Sequence, residues 1–263
     1  MRRWLLLLLG IAPFFAALAL QLVVLSILEV VFLVIWGIPV LPPGVNYSFS
    51  VIAVIVCGLV FFYWYQQLTH LRRRDNFKTI MMPGNLLLLV AMGVSSQLMI
   101  TGILSILKPI LRSLFEGYTE VMDKIFSGDM TVVVLYIVLF APIVEELIFR
   151  GVMLNKLLFA LPFFAANIVQ AAIFGIYHWN IIQGLYAFGI GLLLGYVSYR
   201  YRSLAASILL HMAINGSAFL VVYIPETKTA IILSTIIGTV LTVGLLWMIA
   251  RRTSDQQSNP NNA

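Results

Sequence analysis

The stretch MTVVVLYIVLFAPIVEELIFRGVMLNKLLF, residues 130–159, is apolar enough to cross a bilayer, yet its middle carries Glu145, Glu146 and Arg150. Crossing a hydrocarbon core of roughly 30 Å takes about 20 apolar residues of helix. Within lipid the backbone must satisfy its own polar groups, so the segment reads as a transmembrane helix. An ionisable side chain near its centre costs roughly 2.5–3.5 kcal/mol on insertion scales, so three together call for partners and for a function.

The rest of the chain agrees with that reading. Of 263 residues, 62% are hydrophobic and 10% charged, which leaves too little polar surface to cover a water-soluble globule. Eight apolar runs are long enough to be spans, at 12–36, 48–68, 85–107, 130–159, 162–179, 181–200, 203–223 and 229–250. The expected fold is all-α, a polytopic bundle of about eight transmembrane helices. With the N-terminus inside, the inner loops and ends hold Arg2, Arg3, Arg72, Arg73, Arg74, Lys78, Arg150, Lys156, Arg200, Arg202, Arg251 and Arg252. The outer loops hold Lys108, Arg112, Lys124 and Lys228, and this asymmetry places both termini in the cytoplasm. The net charge of +6 then reflects topology and contact with anionic lipid, and a nucleic-acid partner is not expected.

Arg2, Arg3 and the small residues Ala17-Leu18-Ala19 imitate a cleavable signal peptide, but the apolar run continues to Trp36 as an anchor's would. Pro13 marks the expected start of the first helix. Cys57 is the sole cysteine and reads as a small buried hydrophobe. The chain divides into N-terminal helices with an amphipathic outer segment (1–128), a core carrying the polar groups (129–250) and a disordered polar tail (251–263), all within one membrane domain. The amphipathic piece, 107–128, offers Ile110, Leu111, Leu114, Phe115, Val121, Met122 and Ile125 to one side, as a cover on the bundle or a gate to it.

Glu146 and Arg150 stand one helical turn apart with the acid first, the favourable order for an ion pair. Glu145 is rotated about 100° from Glu146 and meets Phe149 at the next turn, so it is free. His178 and His211 lie in other predicted spans, and Asn215 shares a face with His211; His70 sits in the basic inner loop as a solvated residue. Counting from the inner ends, Glu145 lies roughly 21 Å deep, His178 about 24 Å, Asn215 about 18 Å and His211 about 12 Å, which leaves His211 some two turns out of register. A carboxylate, two imidazoles and a carboxamide suffice for peptide hydrolysis, with the acid activating water and the other groups relaying a proton or stabilising the oxyanion. The same set offers a two-histidine, one-carboxylate metal site from Glu145, His178 and His211, although no HExxH pair is present and the first mechanism needs no zinc. Polar groups that tie helices together and an ion or proton pathway are the other readings of these residues.

EELIFRG with Glu145, Glu146 and Arg150, FGIYH with Phe174 and His178, and HMAIN with His211 and Asn215 together resemble the EExxxR, FxxxH, HxxxN pattern of the CPBP intramembrane proteases. That family includes the CAAX prenyl protease 2 enzymes and bacterial abortive-infection and bacteriocin-immunity proteins. The resemblance covers about 130–220 and includes the run GLLLGYVSYRYRSLAASILLH between the last two motifs. It implies an eight-helix bundle in which Glu145 activates water with help from His178, and His211 and Asn215 form the oxyanion site. Glu146 and Arg150 would hold the architecture or help to bind substrate. Members are often labelled metalloproteases, yet the best-understood ones resemble glutamate-dependent enzymes, so no cofactor is expected. The expected partners are a membrane-associated protein or peptide substrate and the lipid bilayer, in a bacterial plasma membrane. The alternative is a non-catalytic membrane protein, a bacteriocin self-immunity factor or a scaffold.

Overall fold

The computed structural model describes residues 3–37, 40–72, 77–126, 128–221, 223–225 and 227–258, without the side chains of 43, 69–72 and 254–258. The expected surroundings of His70, and the cationic side chains at 2 and 72–74, therefore lie outside the described residues. The chain forms α1 (Arg3–Trp36), α2 (Pro43–Arg72), α3 (Pro83–Leu107), α4 (Arg112–Phe126), α5 (Met130–Leu157), α6 (Phe163–Tyr177), α7 (Ile181–Tyr201), α8 (Leu204–Val221) and α9 (Lys228–Ser258). A single helical turn, Phe77–Ile80, precedes α3.

Among the described residues, seven helices are long and apolar enough to cross a membrane: all of these except α4 and α6. The protein is a polytopic helical membrane protein. The eighth expected span corresponds to α6, which is apolar but only 15 residues long. At 1.5 Å per residue it reaches about 22 Å, short of a full hydrocarbon core. Pro162 starts it from extended backbone, and Trp179, at φ 54°, turns the chain out of it.

Two sequence expectations change. Pro13 lies inside α1, which begins at Arg3. The proline removes one N–H, a loss that membrane helices tolerate. The last helix continues through Ser258, well into the stretch expected to be a disordered tail; 259–263 lie outside the described residues.

The helices pack around two apolar cores. One gathers Phe14, Cys57, Phe61, Ile148, Phe149 and Leu157 from α1, α2 and α5, with Phe174 of α6. The other gathers Met92, Leu194, Leu210 and Ile249 from α3, α7, α8 and α9. Tyr186 of α7 packs against both. Lipid tails are as apolar as leucine, so close packing has to hold such helices together. At Gly93 a Cβ would stand 2.9 Å from the backbone carbonyl carbon of Ala213, which is why α3 and α8 can touch there only without a side chain.

α4 is the amphipathic element. Phe115 is buried, Tyr118 meets the edge of Tyr186 at 6.4 Å, and Glu116, Glu120 and Asp123 face outward. Its apolar side roofs a cavity among α3, α5, α7, α8 and α9 through Phe115, Val121, Met122 and Ile125. Ile110, grouped with that apolar side in the sequence, is instead 72% exposed in the turn before the helix.

Candidate active site

α5 is a continuous helix with two π segments, Tyr136–Phe140 and Leu147–Leu154, and the two glutamates lie between them. Asp129 caps its start, accepting from the amides of Thr131 at 2.8 Å and Val132 at 3.2 Å. Such π segments are uncommon and recur at functional sites.

Glu146 is completely buried and holds the Arg150 Nη1 at 2.7 Å. Arg150 is also buried. Its Nη2 donates to the Gly191 carbonyl of α7 at 3.1 Å, and its guanidinium lies 4.4 Å from the centre of the Phe174 ring. The ion pair anticipated from spacing therefore also clamps α5 to α6 and α7. Gln170 of α6 donates to the same Gly191 carbonyl at 2.9 Å and to Asn167 Oδ1 at 2.7 Å, while Asn167 Nδ2 donates to the Leu192 carbonyl at 2.9 Å. A Cβ at Gly191 would stand 3.0 Å from the Ala171 Cβ, so the glycine lets α7 lie close against α6 there.

Glu146 has a second partner. His211 Nδ1 lies 2.9 Å from its Oε1, and because a carboxylate only accepts, His211 donates that N–H. The opposite nitrogen, Nε2, lies 3.7 Å from Glu145 Oε2. His211 thus bridges the two glutamates. The sequence-based depth estimate had left it two turns away. The contact depends on how α8 sits against α5, which residue counts along each helix taken separately do not contain.

Glu145 differs from its neighbour in access. Its side chain keeps 15% of its surface exposed against 0% for Glu146. Glu145, Phe174, His178, His211 and Asn215 all line the cavity roofed by α4, whose volume is about 1000 Å³; Glu146 and Arg150 do not line it. His178, at the end of α6, holds its Nδ1 2.8 Å from the Phe174 carbonyl. A carbonyl only accepts, so Nδ1 carries a proton, and Nε2 is the nitrogen left for another partner. Phe174 stands between the two histidines, with ring centroids 4.8 Å from His178 and 5.9 Å from His211. Trp179, directly after His178, takes a left-handed backbone that is uncommon for a bulky residue.

Asn215 has a structural employment that the sequence reading missed. Its Nδ2 donates to the Ile137 carbonyl at 2.9 Å. In the π register, where the Ala141 N–H reaches the Tyr136 carbonyl, Ile137 would pair with residue 142, which is proline and has no N–H. Asn215 fills that gap with one amide hydrogen and retains the other.

Other supporting residues were also missed. Asn155 Nδ2 donates to the carbonyls of Gly151 at 2.7 Å and Arg150 at 3.2 Å, holding the second π segment. Gln21 of α1 donates to Tyr177 at 3.0 Å, tying the first helix to the residue before His178. Asn167 and Gln170, one turn apart in an otherwise apolar helix, were the available sequence signal.

Among the described residues, no three His, Cys, Asp or Glu side chains converge as a metal would require. His211 places Nδ1 on Glu146 and His178 places Nδ1 on a backbone carbonyl, so in each ring Nε2 is the nitrogen left for a further partner.

The fold is that of a polytopic helical membrane protein, and an acid, two imidazoles and a carboxamide line one cavity within it. Residues 127–217 match a family model described as Rce1-like, Type II CAAX prenyl endopeptidase Rce1-like. The match supports the CPBP, or CAAX protease, family for this chain, and at family level a CAAX-type intramembrane protease. It spans all seven residues of the three motifs. Neither the curated proteins nor the solved structures offer a match.

Proposed function

We propose that this chain is an intramembrane endopeptidase in which Glu145 activates water against a peptide bond of a membrane-associated protein or peptide. The observation that carries the reading is the different access of two adjacent acids: Glu146 is locked to Arg150 and His211, while Glu145 opens onto the cavity that His178 and Asn215 also line. Glu145 takes a proton as the water oxygen bonds to the scissile carbonyl carbon, and His178, whose Nε2 is not engaged by the Phe174 carbonyl, orients that water. His211, which lies between the two carboxylates, and the second amide hydrogen of Asn215 stabilise the oxyanion. The proton held by Glu145 then passes to the leaving amine as the C–N bond breaks. Phe174 keeps the two imidazoles apart, and Glu146 with Arg150 fixes His211.

The side of entry follows from the charge pattern. Lys108, Tyr223 and Pro225 line the cavity, whereas Arg200, Arg202, Arg251 and Arg252 gather at the opposite ends of their helices. Under the positive-inside rule that cationic end is cytoplasmic, so substrate reaches Glu145 from the outer leaflet of a bacterial plasma membrane.

The test uses purified protein in vesicles with a pool of single-span peptides in ¹⁸O-labelled water. Wild type generates new carboxyl termini carrying the label, and Glu145→Gln lowers the rate at least about 100-fold, the usual scale for a lost general base. Equal cleavage by both proteins would contradict the role given to Glu145. A pool left intact by wild type would favour the non-catalytic scaffold or immunity factor.

A further inference from the structure

A second recess, small and polar, shares no lining residue with the large cavity. Its volume is about 30 Å³, and Arg150, Asn155, Ser198, Arg202 and Ser203 contribute to its wall. Three of these come from SYRYRS, residues 198–203, a run that the catalytic reading does not use.

The local backbone explains the recess. α7 ends with Arg202 in a left-handed conformation at φ 50°, and the Ser203 N–H turns back to the Ser198 carbonyl at 3.2 Å. α8 begins at the next residue and runs for 18 residues. Ser203 therefore stands in the capping position, where a serine hydroxyl ordinarily accepts a first-turn amide. Here Ser203 is 3% exposed and its Oγ has no hydrogen-bond partner among the described residues. The first-turn amides of α8 have no partner within the helix, and they carry the positive end of its dipole.

Arg150 also lines the recess. Arg150 uses Nη1 and Nη2 on Glu146 and Gly191, but its buried Nε has no partner among the described residues. Arg202 adds an exposed guanidinium, and no carboxylate lines the recess. The unpartnered Ser203 hydroxyl, the positive end of α8 and the Arg202 charge thus stand at one recess, and an anionic acceptor with several oxygens would complement them. The volume admits about two water-sized atoms, so the inner part suits two oxygens of one tetrahedral group, with the remainder in the mouth.

We infer that this recess binds a phosphate group, supplied either by the phosphodiester headgroup of an anionic lipid or by inorganic phosphate. It lies at the cationic end of the bundle, where positive-inside orientation places the anionic leaflet. Because Arg150 also holds Glu146, a bound phosphate stiffens the clamp behind the active site. The inference is independent of the proteolytic reading, since neither Arg202 nor Ser203 lines the large cavity and the readout is binding.

Two variants suit the test. Ser203→Ala removes a hydroxyl that has no partner among the described residues, and Arg202→Asn alters an exposed position with a residue that accepts left-handed backbone. Thermal unfolding and native mass spectrometry of the full chain are followed as inorganic phosphate is titrated in neutral detergent, and in nanodiscs of phosphatidylglycerol or phosphatidylcholine. Wild type is expected to show saturable stabilisation and one retained phosphate or lipid, with each variant at least tenfold weaker. A response to inorganic phosphate identifies the free anion as a ligand, and a variant-sensitive response confined to phosphatidylglycerol identifies the headgroup. Absence of any saturable effect in wild type, or variants that respond as wild type does, overturns the inference.

Discussion

Glu145 and Glu146 differ by one position and by about 100° around α5, and that rotation decides which of them is available for chemistry. Removing the charge of Glu146 leaves Arg150 buried and unpaired among Phe149, Phe174 and the Gly191 carbonyl. Glu146→Gln should therefore lose about 3 kcal/mol of stability, the scale of a broken buried pair. Glu145→Gln, with part of its side chain open to the cavity, should lose less than about 1 kcal/mol. Chemical unfolding of both variants in the same detergent checks the contrast, and equal losses would count against the division of labour. This much was legible in the sequence, because an ion pair at helical spacing needs only the 3.6-residue period. The bridge from His211 to both carboxylates was not, since it depends on how α8 sits against α5.

At the scale of the helix, the π segments are what residue counting cannot see. Pro142 withholds an N–H from Ile137, and Asn215, 78 residues further on, supplies one. Asn215→Ala should cost about 1–3 kcal/mol by leaving the Ile137 carbonyl unpaired. In a Pro142→Ala background, where residue 142 regains its amide, the same change should cost at least about 0.5 kcal/mol less. A double-mutant cycle by thermal unfolding measures this, and strict additivity would sink the link between proline and asparagine. The double variant also separates two roles for Asn215: stable but inactive protein would identify an oxyanion donor. Trp179 is a further local case. Trp179→Gly relieves a left-handed conformation worth about 1–2 kcal/mol, so it should raise the unfolding midpoint; an unchanged or lowered midpoint would argue that the exposed indole earns its strained position elsewhere.

Across the whole molecule, the bundle and most of its spans could be read from hydropathy, because a membrane helix must be long, apolar and internally bonded. α6 is shorter than the run 162–179 expected for it, because Pro162 and the αL turn at Trp179 bound it, and hydropathy does not register either. The two apolar cores and the polar seam between them were also out of reach, since they arise from which helices face one another. Topology yields its own prediction. In a Cys57→Ala background, cysteine placed at Glu116 of α4 should react with an impermeant maleimide added to intact cells, and cysteine at Arg251 should react only after permeabilisation. The reverse pattern would turn the cavity toward the cytoplasm and with it the side from which substrate arrives.

The central claim, that Glu145 makes this bundle a protease, is met most directly in the native host by comparing peptide termini in membranes and culture supernatant between wild type and Glu145→Gln at matched expression. The account predicts a defined set of new termini, from membrane-associated proteins or peptides, that is present with wild type and missing with the variant. Identical termini in both, with the wild-type phenotype intact, would contradict it.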